Sequence, residues 1–501
     1  MSRPSFDVLM EPWIPVTHLD GSLAEMGILG CLERASALRE IRDPSPIVEF
    51  GLYRLLVAFV LDAMILDGCR PEEPSDLRDL IDQGAFFPGL FDRYVEVCGD
   101  VFDLFHPERP FLQTVMDSEK AKPLAGLFPA MPSGTNVTHW LHVPEDDWVV
   151  DAREAARLLT TIAPFMTAGG AGLSPSINGA PGVYVLPVGR SLYETLILNM
   201  PLRQEQDRGD GAVAWRSCVS PGRERSQATT VESLTWRPRR IQLVATGDAS
   251  DWQVREMKFA KGDSTRLSWI DCSLAYRYEG NKVTPIRMRE NRPLWRDAGP
   301  LLLVNDIHGG RGDKRVCFKR PDVVDQAFMV DIDGLPQAIH VYAMRTDLKM
   351  KIFEWTKGSW VVPPALGRST RLGGLVEYEL ERAEKAGRCL WSSVKSLYPR
   401  EGAGNKNALK SVSNRCERAY WMALEKEFVS LLDSFAALDP DAPDDPSLID
   451  ATAKPWRETI SSLVLEQFER AAKDMDTDGE ALERLVKARA RLQGSLRKVL
   501  S

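Results

Sequence analysis

The chain contains few residues whose types and spacing could support catalysis. Its histidines lie at positions 18, 106, 139, 142, 308 and 340, and no H-E-x-x-H, G-x-S-x-G or kinase motif occurs. The segment DIHGGRGD places Asp306, His308 and Asp313 in a glycine-rich context, where they could hold a divalent metal for phosphodiester hydrolysis. No further carboxylate pattern accompanies them, which favours a plain turn. A metal-dependent nuclease is therefore an alternative hypothesis, and the chain is otherwise predicted to be non-catalytic.

A glycine-rich stretch, TAGGAGLSPSINGAPG at residues 167–182, is a candidate for close contact with another molecule. Five of its sixteen residues are glycine, and it follows a predicted helix at residues 151–162. Glycine permits positive φ and close approach of the backbone, so exposed amides here would suit a phosphate or a groove floor. The same composition is typical of a flexible surface loop. The pattern is not a P-loop, because no Lys-Ser/Thr pair follows it.

Charge is distributed unevenly along the chain, whose net charge is −8. Residues 1–150 carry 11 Lys and Arg against 25 Asp and Glu, whereas residues 215–360 carry 25 against 18. An acidic lobe joined to a basic region indicates polyanion binding on one face. Basic residues beside tryptophans predict a phosphate-tracking surface. These are Arg237, Arg239 and Arg240 beside Trp236, then Arg287, Arg289, Arg292 and Arg296 around Trp295, and finally Lys314, Arg315, Lys319 and Arg320.

The eight cysteines are scattered without a C-x-x-C pair. This usage favours buried thiols in a reducing cytoplasm over disulfides or a zinc site. No run of about 18 apolar residues occurs, so no transmembrane helix is predicted. The N-terminus does not have the pattern of a signal peptide. We therefore expect a cytoplasmic protein that does not enter a membrane.

The first element that would position these residues is an apolar, strand-like segment at residues 6–16. A helix is predicted at residues 46–65, and it is apolar on more than one face. From residue 184, short apolar runs alternate with turns and predict a mixed, mainly β region. The runs are 184–188, 196–200, 241–244, 301–304 and 328–332.

After Pro363 and Pro364, four amphipathic patterns predict helices at about 369–397, 411–438, 448–475 and 478–500. Their short polar connections favour antiparallel neighbours and an up-and-down four-helix bundle. The predicted class is α+β, with a large mixed α/β domain at residues 1–365 and the bundle at 366–501. A basic flank of the bundle, Arg484, Lys487 and Arg491, is expected to help hold DNA.

Several segments, taken in order, resemble the large subunit of the type I-E CRISPR Cascade complex, the CasA family. They are FDVLMEPWIPV at 6–16, HPERPFLQT at 106–114, SGTNVTHW at 133–140, LTWRPRRIQL at 234–243, HVYAMRTDLKMKIFEW at 340–355, and the closing helices. The resemblance covers essentially the whole chain. It implies a non-catalytic subunit of an RNA-guided surveillance complex, which reads the protospacer-adjacent motif (PAM) of double-stranded DNA from the minor groove, promotes R-loop formation and recruits a helicase–nuclease.

The resemblance also implies site residues by position. The family's glycine loop against the PAM falls on Ala168, Gly169, Gly170, Ala171 and Gly172. The loop that reaches the guide RNA and a neighbouring subunit falls on Asn136, Val137, Thr138, His139 and Trp140. PAM-contacting and wedge positions fall on Asp347, Leu348 and Lys349, and a lysine finger on Arg277 or Lys282.

Two features depart from the family pattern. Leu348 stands where the best-known members have a glutamine wedge, so the PAM preference is open. The paired cysteines that bind zinc in some members are missing from the sequence, so no metal and no cofactor is predicted. The expected partners are the guide RNA, the other Cascade subunits, target DNA and the helicase–nuclease.

Overall fold

The computed structural model describes residues 3–127, 148–169, 172–204, 207, 209–217, 221–248, 251–266, 269–280, 282–303, 316–347, 351–398, 403–473 and 478–501. The chain divides into two compact units. The first comprises Met1–Arg289, Arg311–Val316 and Pro321–Trp360, and the second comprises Glu290–Gly310, Cys317–Arg320 and Val361–Ser501. Helices combined with several small sheets confirm the predicted α+β class. Within these residues, every helix is too short or too polar to span a lipid bilayer.

The strands are β1 (Ile14–His18), β2 (Leu23–Met26), β3 (Leu38–Ile41), β4 (Lys122–Pro123), β5 (Val150–Asp151), β6 (Tyr184–Val188), β7 (Glu224–Arg225), β8 (Arg239–Asp248), β9 (Asp251–Lys261), β10 (Ser264–Thr265), β11 (Tyr276–Glu279), β12 (Lys282–Pro285), β13 (Val316–Lys319), β14 (Ala338–Thr346) and β15 (Ile352–Trp360). The α-helices are α1 (Ile28–Glu33), α2 (Pro46–Leu66), α3 (Pro74–Gln83), α4 (Leu90–Cys98), α5 (Ala152–Thr160), α6 (Ile162–Phe165), α7 (Leu192–Leu198), α8 (Thr230–Leu234), α9 (Asp322–Met329), α10 (Pro364–Arg368), α11 (Thr370–Ser396), α12 (Ala403–Ala436), α13 (Pro446–Lys473) and α14 (Gly479–Leu500).

Helix α2 confirms the predicted helix at 46–65 and supplies much of the core of the first unit. Its sequence is apolar around the whole helix, and it is buried from Ile47 to Met64. Phe50 stacks on Tyr184 of β6, with ring centroids 4.6 Å apart, and lies 5.4 Å from Tyr342 of β14. The helix therefore packs directly against the sheet that contains β6 and β14.

That sheet brings two of the predicted contact segments to the same end. β14 lies between β6 and β15, and both pairs are antiparallel. Tyr184, which begins β6, is paired with Tyr342 at the middle of β14, and β14 continues past it to Thr346. Because antiparallel strands run in opposite directions, the chain entering β6 lies near the chain leaving β14. The glycine-rich segment precedes β6 and Asp347 follows β14, so the topology places them at one end of the sheet.

The segment that carries β11 and β12 is attached to the same end of β6. Val183 N donates to Ile286 O and Val185 N donates to Ser273 O, each at 2.8 Å. These two bonds flank Tyr184, so the residues that follow the glycine-rich segment are fixed against the β11–β12 hairpin.

Three of the predicted apolar runs are helical, and their assignment to the β region was wrong. Residues 196–200 begin within α7, residues 328–332 begin within α9, and residues 301–303 belong to a π-helical turn, Gly299–Leu303. A short buried helix and a buried strand give the same apolar run, so periodicity does not distinguish them. In α7 the decisive signal is the N-cap, where the Ser191 side chain accepts from Glu194 N.

The apolar opening at 6–16 is a strand only from Ile14 onward. Before it, the chain turns at Asp7, whose carboxylate accepts from Leu9 N at 2.9 Å and whose carbonyl accepts from Glu11 N at 2.8 Å. Side-chain acceptance by an aspartate favours such a turn over an extended strand.

The second unit contains the four long helices α11 to α14, close to their predicted ranges. Helix α11 contacts each of the other three. Trp421 of α12 is buried and lies edge-on to Trp295, with centroids 5.7 Å apart, which adds a large aromatic area to this core. The antiparallel order of a bundle and a domain boundary at residue 366 stay predictions.

Arginines around Trp295 form ion pairs within the second unit, so the predicted phosphate-tracking role is wrong for two of them. Arg292 pairs with Asp297 at 2.7 Å and with Glu384 of α11 at 2.6 Å, and Arg296 pairs with Glu384 at 2.8 Å. Trp295 itself is fully buried. Both guanidiniums are thus used to hold residues 292–297 against α11.

Candidate nucleic-acid interface

The glycine-rich segment forms a closed loop, because hydrogen bonds join its two sides. Ser176 N donates to Met166 O at 2.9 Å, and Gly169 N donates to Leu173 O at 3.1 Å. A Cβ on Gly169 would lie only 2.9 Å from Leu173 Cδ1. Glycine at this position therefore lets the two sides approach each other.

The exposed side of this loop carries backbone suited to a polyanion. Gly172 has φ +78°, and a Cβ placed there would meet no atom within 4 Å. The Ala168 N–H makes no hydrogen bond to another described residue. Gly170 and Ala171, which the sequence placed in the same site, lie outside the described residues.

Arg239 does not lie on a phosphate-tracking surface as predicted, because its guanidinium is buried against this loop. Its exposed fraction is 7%, and that of Trp236 is 3%. Nη2 donates to Thr167 O at 2.8 Å, and Nη1 donates to Ser174 O. Arg239 therefore supports the loop from beneath.

The two candidate cations of the β11–β12 hairpin, Arg277 and Lys282, have different surroundings. Glu279 and Lys282 are cross-strand partners, and Gly280, which follows Glu279, has φ +57°. Arg277 Nη2 donates to Glu279 Oε1 at 2.9 Å, so its charge is already paired. Lys282 is exposed and forms no ion pair with a carboxylate of the described residues. Of the two, Lys282 has its ammonium available for a phosphate.

A cavity of about 320 Å³ lies between the loop and the hairpin. Residues 174–179 of the loop form one wall, and Tyr276 with residues 283–285 of the hairpin form another. Trp236, Trp269, Arg287 and residues 264–266 complete the lining. The fold thus brings together two segments that the sequence places about a hundred residues apart, and both border one concave site.

A buried ion pair fixes the base of this site. Arg54 of α2 donates to Asp271 Oδ2 at 2.8 Å, and Asn178 of the loop donates to the same oxygen at 3.0 Å. Burial alone would raise the pKa of Asp271, but the Arg54 charge and these hydrogen bonds outweigh it and lower that pKa. The sequence did carry a signal for this pair, because an arginine in a helix that is apolar all round must find a buried partner. Its partner could not be named from the sequence.

Comparison with known proteins decides the family. A family model described as CRISPR-associated protein Cse1 matches residues 7–467. The chain belongs to the Cse1 family. A curated relative from Thermus thermophilus, named CRISPR-associated protein CasA/Cse1, is 27% identical over 535 residues and covers 99% of this chain and 98% of its own. The match confirms the resemblance to the CasA family that the ordered segments indicate.

Solved structures share the fold of this Cse1-family chain. The crystal structure of CasA from Thermus thermophilus superimposes with a TM-score of 0.79 at 24% identity, over 99% of this chain and 100% of its own. A chain of a structure described as a CRISPR RNA-guided surveillance complex gives a TM-score of 0.69 at 19% identity, over 93% and 99% respectively.

Several predicted residues of the Cse1-family chain lie outside the described part. They are the loop Asn136, Val137, Thr138, His139 and Trp140, the wedge positions Leu348 and Lys349, and the alternative metal ligands Asp306, His308 and Asp313. Asp347 is described: it is exposed, its N–H donates to Lys351 O at 3.1 Å, and its carboxylate accepts from Lys351 N at 3.1 Å. In the part of the chain that is described, no three His, Cys, Asp or Glu residues cluster as metal ligands.

Proposed function

We propose that this Cse1-family chain is the non-catalytic large subunit of a cytoplasmic CRISPR RNA-guided surveillance complex. In this role it recognises the PAM of double-stranded DNA through the minor groove, promotes duplex opening and R-loop formation, and recruits a helicase–nuclease. Family membership supports the assignment to such a complex, since a chain of the same fold comes from a structure described in those words. The division of labour is that of RNA-guided recognition, in which the protein reads a short motif and base pairing reads the rest.

The observation that carries PAM reading is the convergence of the glycine-rich segment and the β11–β12 hairpin on one cavity, which residues 174–179 and 283–285 line. Next to these walls in sequence, the segment offers an amide at Ala168 without a described partner and an exposed, unobstructed Gly172, while the hairpin offers the Lys282 ammonium. Minor-groove edges present a degenerate acceptor pattern, which amides and one cation can contact without strict base choice. A site of this composition therefore binds several related PAM sequences.

Other segments take part in the same proposal. We assign the segment after Asp347, which includes Leu348 and Lys349, as the wedge that separates the first base pairs, because it follows β14 at the end of the sheet where the loop also lies. An apolar wedge unstacks a base step at a cost of about a few kcal/mol, which surrounding contacts must offset. We assign Asn136 to Trp140 to the guide RNA and a neighbouring subunit.

For the second unit, we propose that α11 to α14 form an antiparallel four-helix bundle. The contacts of α11 with the other three helices support this arrangement. Its basic flank (Arg484, Lys487 and Arg491) would help to hold the opened DNA.

Assembly with the partner subunits and a guide RNA tests the function directly. Complexes prepared with and without this chain are compared for binding to duplexes that contain or lack a PAM, in the presence and absence of Mg²⁺. The proposal expects PAM-dependent binding only when the chain is included, with both strands left intact. Equal binding without the chain, or Mg²⁺-dependent cleavage by the chain alone, contradicts it, and the second result favours the nuclease alternative.

Lys282→Ala is expected to weaken binding of the assembled complex to a PAM duplex by about fivefold and to reduce the slope of log K against log salt by roughly one. The reason is the loss of one phosphate contact from an ammonium that is not paired with a described carboxylate. Arg277→Ala is the matched control, because its charge is already paired with Glu279. Titrations at several salt concentrations measure both quantities. A larger loss in Arg277→Ala than in Lys282→Ala would reverse the assignment.

A further inference from the structure

We propose that Arg239 is a positioning residue that holds the glycine loop in the shape that contacts the duplex. The inference rests on the proposed function, since loop shape matters for binding only if the loop meets DNA. Arg239 is the first residue of β8 and belongs to the segment LTWRPRRIQL.

The guanidinium of Arg239 joins the two sides of the loop. Nη2 donates to Thr167 O on the entering side at 2.8 Å, and Nη1 donates to Ser174 O on the returning side. Nη1 also donates to Pro238 O at 2.9 Å, which anchors the group to its own strand. One side chain therefore fixes the separation of the loop's two sides at its base.

Holding the Thr167 carbonyl also sets the direction of the next amide. In a planar trans peptide, the C=O and the following N–H point in opposite directions. The Ala168 N–H therefore points away from the guanidinium, and it makes no hydrogen bond to another described residue. Ser174 precedes Pro175, which has no N–H. Ala168 is thus the amide that this contact presents, already oriented before DNA arrives, which lowers the cost of binding.

Arginine suits this position because its guanidinium is a planar fork with donors in fixed directions, whereas a lysine ammonium is a point charge. Burial lowers the pKa of Arg239 to about 10, and no carboxylate among the described residues counteracts this effect. The group is still protonated at neutral pH. With no such carboxylate to bind, its donors are used on backbone carbonyls.

The main chain that carries Arg239 is fixed as well. Gly262 N donates to Pro238 O at 3.1 Å, and Asp263 N donates to Arg237 O at 2.7 Å. A Cβ on Gly262 would lie 2.2 Å from Arg237 O, so glycine is required for this approach. The guanidinium therefore extends from a rigid point of the β8–β9 hairpin rather than from a mobile loop.

Arg239→Lys in the assembled complex tests the inference, because it keeps the charge and removes the fork. Arg240→Lys is the control, since the Arg240 Nε donates instead to the Lys261 carbonyl at 3.0 Å. We expect Arg239→Lys to reduce the ratio of affinities for PAM-containing and PAM-free duplex by about fivefold, the size of one oriented hydrogen bond. Assembly and PAM-free binding should equal those of the unmodified complex, and Arg240→Lys should retain the full ratio.

A purely structural role would lower the melting temperature and weaken both duplexes equally, and that result would overturn the inference. If the lysine variant does not fold, a measurement on the unmodified chain still tests the inference. Residue-resolved hydrogen exchange should show the Gly169 amide protected and the Ala168 amide exchanging fast, and PAM duplex should then protect Ala168. Protection of Ala168 before DNA is added would contradict its outward orientation.

Failure of this inference can be told apart from failure of the proposed function. If Gly172→Asp abolishes PAM binding while Arg239→Lys retains the full affinity ratio, the loop contacts DNA but Arg239 does not position it. If Gly172→Asp also binds PAM duplex normally, the loop does not contact DNA and the proposed function itself is wrong at this site.

Discussion

Gly172→Asp is expected to reduce binding of the assembled complex to PAM duplex by roughly a hundredfold. The Gly172 Cα faces open space on the exposed side of the loop, so an added carboxylate would project outward without a steric clash. If the loop lies in a minor groove, that carboxylate meets phosphates of the same charge, and like-charge contacts at an interface cost several kcal/mol. Equilibrium titration with PAM-containing and PAM-free duplex measures the loss.

Gly84→Asp provides a closely matched control. Gly84 has φ +77°, compared with +78° at Gly172, and a Cβ there also meets no atom within 4 Å. Both substitutions therefore introduce the same charge and similar backbone strain, which aspartate tolerates better than most residues. Equal melting temperatures with a loss of binding only in Gly172→Asp support the interface. Equal binding by the two variants would show that the loop is an ordinary surface loop that does not contact DNA.

Glu377→Gln is expected to stabilise the second unit, and the gain should grow with pH. Burial raises the pKa of Glu377 from 4.5 to about 8, and the nearby carboxylates of Glu381, Asp297 and Glu384 add to this effect. The positive charge of Arg292 acts in the opposite direction but is outweighed. Its Oε2 is buried and has no hydrogen-bond partner among the described residues, so the charged form of Glu377 is poorly accommodated. The protonated form is therefore the stable one in the folded chain at neutral pH.

The sign of the pH dependence follows from linkage. Because the folded pKa is raised, the stability that Glu377 contributes is present below pH 4.5 and is lost as pH rises through about 8. The loss is at most about 1.4 kcal/mol per pH unit across that window. Glutamine removes the ionisation, so the variant should match the native chain near pH 5 and melt at a higher temperature by pH 8.

Thermal melts between pH 5 and pH 9 measure this difference. Glu466→Gln is the control in the same unit, because Glu466 is exposed and pairs with Arg470 one turn later on α13. Its effect should be small and nearly independent of pH. A constant difference between Glu377→Gln and the native chain across the range would show that Glu377 does not carry a raised pKa.

The sequence determined those features that depend on long local patterns. The run at 46–65 is too long and too apolar for anything but a buried helix, and α2 matches it. Amphipathic spacing over twenty or more residues placed α11 to α14, since a 3.6-residue period becomes unambiguous at that length. The order of the segments at 6–16, 106–114, 234–243 and 340–355 identified the family, because several agreements in the same order exclude chance better than any single motif.

Only the tertiary structure decided which arginines face solvent and which are structural. Arg239 and Arg292 look alike in the sequence, each near a tryptophan in a basic stretch. Arg239 binds carbonyls of Thr167 and Ser174, and Arg292 binds the carboxylate of Glu384. These partners lie 65 to 92 positions away, and burial of a guanidinium depends on partners that local sequence does not reveal.

The choice between Arg277 and Lys282 also needed the fold. Both belong to one hairpin, and the sequence left them equivalent. Arg277 and Glu279 lie two residues apart on one face of β11, so their side chains meet, whereas Lys282 is exposed without a described carboxylate partner. Likewise, Arg54 in an apolar helix indicates that a buried partner exists. Only the folded structure shows that this partner is Asp271, which lies 217 residues later in the sequence. A buried charge in the sequence shows that a partner must exist, but only the three-dimensional arrangement decides which residue that partner is. The reason is that electrostatic interactions and hydrogen bonds act over a few ångströms of space and not along the chain.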